Sequence, residues 1–520
     1  MKILGIDVGT GGTRALLVNE TGHVVCSATA EHAPILCSRP GWAEQEPADW
    51  WRAALEAIRN CLAKSGTDPS EILGIGLSGQ MHGMVLLDNK GEVLRPAIIW
   101  CDQRTEEQAK AITAQVGAGE LIRLTANPAL TNFTLTKLWW VRQNEPEVWR
   151  QIRSLLLPKD YVRFRLTGVR ATDVADASGT LLLDVARRQW SPAMLEVSGI
   201  DASILPQLFE SQEITGKISA EAAQLTGLLE GTPVVAGAGD QAAGAVGMGI
   251  VQPGAVNAII GSSGVVFAAT DTPQLDPKGR LHTFCHAIPN RWHVMGVTQA
   301  AGLSLQWFRK QFGTVSSNGS NQYESLMKEA SGTPAGAEGL LWTPYLLGER
   351  TPHLDPEARS ALVGLTVRHT RGHIIRAILE GVAFSLRDTL TILAELNIPA
   401  RSIRLGGGGA RSALWRQIQA DVYGMTVDLV EAEEGAAFGA ALLAGVGTGV
   451  WPDVDAACAT VVRVAEKIKP DAETVSLMNR QYAAYQKLYP ALRQISHEVA
   501  ALQAQEVADH QLAAAPMRST

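Results

Sequence analysis

The sequence predicts an α/β protein built from two copies of one strand–turn–strand design, and three observations carry that expectation. At 520 residues the chain is too long for a single hydrophobic core, so two or more domains are expected. Its first residues alternate short β-rich runs with turn residues, and a related pattern returns in GAVNAIIGSSGVVFAATD, from Gly254 to Asp271. Helical patterns lie between and after these strands.

The N-terminus reads ILGIDV, GTGGT, RALLVN, ETG, HVVCSAT: strand, turn, strand, turn, strand, as in an antiparallel meander. Further on, TPVVAGAGDQAAGAVG reads as a buried strand (Val234 to Ala236) running into a Gly-rich turn that holds one acid, Asp240. In HIIRAILEGVAFSLRDTLTILAEL, Ile374, Ile378, Val382 and Leu386 recur every four residues, with Ile375, Leu379 and Ala383 beside them. That is a broad apolar helical face. SIRLGGGGARSALWRQIQADVYG reads as a short strand, four glycines and a helix with Leu414, Ile418 and Val422 inward and Gly424 as its stop. After about residue 490 the chain turns Ala/Gln-rich and ends in AAAPMRST, a tail expected to be partly disordered.

Composition narrows the function. A net charge of -7 argues against nucleic-acid binding, which needs a basic surface. Six cysteines without a disulfide rhythm suit a reducing cytoplasm, and MKILGIDVGT does not read as a signal peptide. Two charge-free stretches, 241–270 and 435–452, are too short or too interrupted by Gly, Pro and polar residues to read as membrane spans.

Three Gly-rich turns follow predicted strands: GTGGT (9–13), GSSG (261–264) and GGGGA (406–410). Glycine lets a backbone approach a bulky anion, and successive N–H groups form an anion-binding concavity. One such turn is only a turn; three in one chain favour a nucleotide site. GxxxxGK[ST] is absent, and GIGLSG (74–79) runs into an apolar strand rather than opening a helix, so neither a P-loop nor a dinucleotide fold fits. HTFCH (282–286), with His293 nearby, has metal-like spacing but no evident fourth ligand, so a zinc site is not favoured. Asp7 precedes the first turn, where it could hold Mg²⁺ or simply start the turn. Asp240 could likewise cap a helix or do chemistry. Local chemistry leaves both choices open.

Taken together, GIDVGTGGTRALL, GLSGQMHG, PAIIWCDQR, LLPKDYVRFRLTG, DASGT, GAGDQAAGAVG, WTPYLLGERTPH and LGGGGARS resemble the FGGY family of carbohydrate kinases, most closely its xylulokinase branch. TNFTLTKLWWVRQNEPE resembles the family's N-terminal signature, departing from it at Asn132, and SALVGLTVRHTRGHIIRAILEG its C-terminal one. The resemblance covers the chain to about residue 490. It implies two ribonuclease H-like domains of the actin/hexokinase type around a central cleft. The sugar-binding domain is expected at 1–248, the ATP-binding domain at 249–490 and the tail at 491–520.

The resemblance also assigns roles. Asp240 stands as the catalytic base, its small neighbours keeping the helix start clear for a sugar, and Asp7 as the residue placing Mg²⁺. Thr10, Gly11, Gly12, Thr13 and Arg14, with Gly261, Ser262, Ser263 and Gly264, would hold the phosphates of ATP. Gly407, Gly408, Gly409, Ala410 and Arg411 would receive the adenosine. Met81 and His82 match a sugar-contact pair where glycerol kinases have Arg-Glu, and Gln241 beside Asp240 can bond a sugar hydroxyl. The expected reaction is phosphorylation of D-xylulose by ATP in pentose catabolism, with a homodimer compatible and no nucleic-acid or membrane partner. The alternatives are another FGGY kinase acting on L-ribulose, gluconate, fuculose or glycerol, a non-catalytic sugar sensor, or an actin- or chaperone-like ATPase.

Overall fold

The structure, a computed structural model, describes residues 1–313, 322–431 and 435–514. It divides into two compact α/β units. The first comprises Met1–Ala255, Ala268–Val294 and Val430–Arg463; the second comprises Val256–Phe267, Met295–Leu429 and Val464–Thr520.

The meander expected at the N-terminus is present. Strands Lys2–Val8, Gly12–Asn19 and Val24–Glu31 pair antiparallel, and Ile72–Gly79 joins Lys2–Val8 in parallel. Ile3, Leu4, Ile6 and Val8 are all buried, the near-continuous apolar run of a strand covered on both faces. Helix Pro47–Ser65 packs on Gly12–Asn19 and Val24–Glu31 through Trp50, Ala54, Ala57 and Ile58. Helix Gly435–Gly447 lies against Lys2–Val8 and Ile72–Gly79. Its sequence, GAAFGAALLAGVG, brings backbone against backbone: a methyl group on Gly5 or Gly76 would overlap the carbonyls of Ala437 or Ala440. This is why so apolar a stretch is a buried helix. Among the described residues no helix is long and apolar enough to cross a membrane.

The compact units are not continuous in the chain. Gly435–Gly447 belongs to the first unit although it follows most of the second in the chain. Close packing of small residues, rather than position along the chain, decides membership.

The second large sheet runs His282–Cys285, Trp292–Thr298, Gly264–Thr270, Ala255–Ile260, Ser402–Gly407, Val427–Val430, Val464–Ile468. The first sheet contains the run Val24–Glu31, Gly12–Asn19, Lys2–Val8, Ile72–Gly79. Each contains a run in reverse chain order down to the first strand of its set, followed by a later strand, with His282–Cys285 added at the edge of the second. The repeat glimpsed in sequence is therefore a repeat of topology. Helix Arg371–Glu395 buries Ile375, Ile378, Leu379, Val382 and Leu386, and Ala413–Tyr423 ends at Gly424 in the left-handed conformation (φ 65°). The tail expected at 491–520 to be partly disordered is helical as far as Ala514, as its Ala, Leu, Gln and Glu content favours. Residues 515–520 lie outside the described residues.

Candidate active site

Asp240 opens helix Asp240–Gly247 directly after the short strand Ala238–Gly239. It is the first helical residue, with Gly239 in the cap position. Its carboxyl accepts from the backbone N–H and the side chain of Gln241. The small residues after it also have a packing cause. A methyl group on Gly439 would overlap the carbonyl of Ala243, so Asp240–Gly247 is small because it lies against Gly435–Gly447. Only Gly239 crowds the site itself, where a Cβ would lie 2.8 Å from Met81 Cγ and 3.2 Å from Asp176 Oδ1.

Burial pushes the Asp240 carboxyl up to about 7, the Asp7 carboxylate adds to the push, and hydrogen bonds from Gln241 oppose it. Asp7 is displaced upward too, mainly by burial, against the pull of the Ser78 hydroxyl and the Arg14 charge. Both opposing groups face Asp7 by strand register, Arg14 across the antiparallel pair and Ser78 across the parallel one. Asp7 Oδ1 is buried and has no hydrogen-bond partner. The sequence-predicted acids therefore share one electrostatic neighbourhood.

The Gly9–Thr13 turn is held by side chains that sequence reasoning did not select. Gln45 Nε2 donates to the Thr10 carbonyl at 2.8 Å, and Trp100 Nε1 donates to Thr10 Oγ1 at 2.9 Å. Gln80 Nε2 donates to Gln45 Oε1 at 2.9 Å, which ties the residue before Met81 into the same network. Thr13 is fully buried and its hydroxyl meets His32 Nε2 at 2.9 Å, so it supports the turn from behind. Gly11 is the open point, with nothing within 4 Å of a Cβ built there. Gln80 beside Met81 and Trp100 within PAIIWCDQR were the available sequence signals; Gln45 and His32 left none.

Met81 and His82 are both buried, and His82 has a positive φ of 66°. Beneath them Lys159 Nζ meets Asp160 Oδ1 at 2.6 Å, Asp173 Oδ1 at 2.7 Å and Asp176 Oδ2 at 3.5 Å. Arg163 adds a second cation, 3.2 Å from Asp160. LPKDYVRFRLTG and DASGT, quoted from sequence only as family segments, are thus joined by buried charge.

In the second unit, the two remaining Gly-rich turns border one cavity of about 910 Å³. Gly261 and Ser262 line it from one turn, and Gly408, Gly409 and Arg411 from the other, with Tyr323, Met327 and Lys328 beside them. Ser263, Gly264, Gly407 and Ala410 do not line it. Gly407 instead takes φ 73° where a side chain would crowd the Ile260 carbonyl at 2.5 Å. The volume suits a small-molecule ligand.

The histidines of HTFCH are placed otherwise than as a metal set. His282 Nδ1 meets Asn127 Oδ1 at 3.0 Å, and His286 Nε2 donates to the Ile250 carbonyl at 2.8 Å. Among the described residues no group of three or more His, Cys, Asp or Glu could hold a metal ion. That does not bear on Mg²⁺, which commonly uses one or two carboxylates and substrate phosphates.

Residues 2–247 match the N-terminal domain of the FGGY family of carbohydrate kinases and residues 256–448 its C-terminal domain. The chain is 40% identical to the xylulose kinase of Bacillus subtilis, over 94% of this chain and 96% of that one. It is 38% identical to the xylulose kinase of Escherichia coli, over 96% of this chain and 100% of that one. The crystal structure of xylulose kinase from Rhodospirillum rubrum superposes with a TM-score of 0.89 at 33% identity, covering 96% of this chain and all of that one (100%). With both domains matched and the two-unit α/β fold in place, the chain belongs to the FGGY family of carbohydrate kinases and is a phosphotransferase acting on a sugar.

Proposed function

We propose that this kinase transfers the γ-phosphoryl group of ATP to the terminal hydroxyl of D-xylulose, giving D-xylulose 5-phosphate, with Asp240 as general base. The observation that carries the mechanism is the Asp240 carboxyl, buried at the start of helix Asp240–Gly247 and raised to about 7. A base serves best with a pKa near the working pH. The relatives named xylulose kinase support the substrate.

Asp240 takes the hydroxyl proton as that oxygen bonds to the γ-phosphorus and the bond to the bridging oxygen breaks, releasing ADP. Arg14 and the Gly11–Gly12 backbone stand ready for phosphate charge, Met81, His82 and Gln241 for the sugar. The cavity bordered by Gly261, Ser262 and Gly408–Arg411 would take the adenosine. Asp7 fits Mg²⁺: a hard cation prefers oxygen donors, and Oδ1 is a buried carboxylate oxygen without a partner. Bound there, the ion would neutralise charge on the phosphates. A place in cytoplasmic pentose catabolism follows from this substrate.

A coupled ADP-release assay over D-xylulose, L-ribulose, D-ribulose, gluconate, fuculose and glycerol tests the reading. D-xylulose should lead in kcat/KM and glycerol should trail. Another sugar ahead by about tenfold, the scale of one used polar contact, would keep the kinase and overturn the D-xylulose assignment.

A further inference from the structure

Among the restraints on His82, three bear on its backbone and ring. Its carbonyl accepts from Lys137 Nζ at 2.8 Å and from Thr134 Oγ1 at 3.2 Å, fixing a backbone in the left-handed region. Phe133 meets the ring edge-on, with centroids 4.9 Å apart. The third restraint is the Gly179 carbonyl, 2.8 Å from His82 Nδ1.

Gly179 sits in the short turn Ser178–Thr180, inside DASGT. That turn is itself pinned, by Ser178 Oγ donating to the Val174 carbonyl at 2.7 Å and Thr180 Oγ1 to the Ala177 carbonyl at 2.6 Å. The carbonyl at residue 179 therefore has a set direction. Its lack of a side chain also matters, since a Cβ there would lie 2.6 Å from His82 Nδ1 and 2.8 Å from Cε1. Only glycine lets the ring come this close.

A carbonyl oxygen can only accept, so the Nδ1 atom facing it must carry the proton. A neutral imidazole with its proton there keeps its lone pair on Nε2. We propose that Gly179 is a positioning residue that holds His82 as the Nδ1–H tautomer and so makes Nε2 an acceptor for a hydroxyl of the sugar. The sugar half of this inference rests on the proposed substrate site; the tautomer half does not. It sharpens specificity, because an acceptor at Nε2 selects a hydroxyl and rejects a carbonyl at the same place.

Long-range ¹H–¹⁵N correlation on the full chain labelled at histidine, with His82 assigned from the His82→Gln spectrum, tests the tautomer directly. The expected pattern is a protonated Nδ1 and an unprotonated Nε2, with only Nε2 shifting when D-xylulose is added. A ring protonated at Nε2, or an Nε2 signal indifferent to D-xylulose, overturns the proposal. Kinetics supply the second arm. Gly179→Ala should raise the sugar KM about tenfold, as for one displaced hydrogen bond, and leave the KM for ATP unchanged. In a His82→Ala background the same change should add nothing. An equal loss in both backgrounds would mean that Gly179 serves the fold alone and would overturn the positioning role. If His82→Ala leaves sugar kinetics untouched while the Nδ1–H pattern stands, the substrate-site reading fails and takes the acceptor role with it.

Discussion

Two groups of buried acids lie in the first unit, and they are neutralised differently. Asp160, Asp173 and Asp176 surround Lys159, with Arg163 beside them, and all five side chains are fully buried. Among the described residues Asp7 and Asp240 have only the charge of Arg14 on Asp7, and burial pushes both upward, as it also pushes Asp173 and Asp176 despite their cations. Desolvation is common to both groups, so it does not separate them. Internal cations do. Acids that carry their own counter-ions serve the fold, whereas acids left short of them await a proton, a metal or a phosphoryl-transfer reaction.

Breaking the second group should cost chemistry rather than structure. Asp240→Asn is nearly isosteric, so sugar binding and circular dichroism should match wild type while kcat falls by ~10²–10⁴-fold. Turnover near the wild-type rate would remove Asp240 from the mechanism.

Breaking the first group should do the reverse. Lys159→Met leaves three carboxylates around an apolar side chain, and urea unfolding should show a loss of about 3–5 kcal/mol. An unchanged midpoint would mean that the cluster is not what holds these segments.

The pH dependence sharpens the contrast. A base must be ionised, so kcat/KM should level off above a pKa of about 7 and fall below it. The stability effect has the opposite sign. The folded carboxyl lies above its unfolded value of 3.8, so the folded state holds the proton more tightly and loses stability as pH rises from the one value to the other. Relative to wild type, Asp240→Asn should gain Tm across that window, with little difference at lower pH. A Tm gap that ignores pH would argue against a strained carboxylate.

The smallest effect concerns the Gly9–Thr13 turn. Trp100→Phe removes one N–H donor to Thr10 Oγ1, worth about 0.5–1.5 kcal/mol, and should lower kcat/KM for ATP by the corresponding few-fold to about tenfold. A change confined to the sugar KM would place Trp100 elsewhere in the mechanism.

Much of the molecule was legible before folding. Alternating apolar runs and turn residues mark Lys2–Val8, Gly12–Asn19 and Val24–Glu31, because strand pairing depends on local pattern. The lone acid in GAGDQAAGAVG and the Gly-rich turns stood out because their composition is unusual where they lie. What the sequence did not announce were partners distant in the chain. The small residues around Asp240, read as clearance for a sugar, also give contact surface to a helix some 190 residues on, at Gly435–Gly447. The restraints on Thr10 come from Gln45 and from Trp100, which lies in the quoted segment PAIIWCDQR, but neither neighbourhood announces a contact with Thr10.

The sequence by itself determined the α/β class, the repeated design, the family and the residue types available for chemistry, since these depend on periodicity and on which side chains exist. Tertiary structure alone decided that Asp240 is not a cap, that Thr13 faces inward and that Gly435–Gly447 belongs to the first unit. It alone placed Lys159 and Arg163 in contact with one set of acids. Burial, pairing and charge compensation are properties of distances between side chains far apart in the chain, and those distances exist only once it has folded.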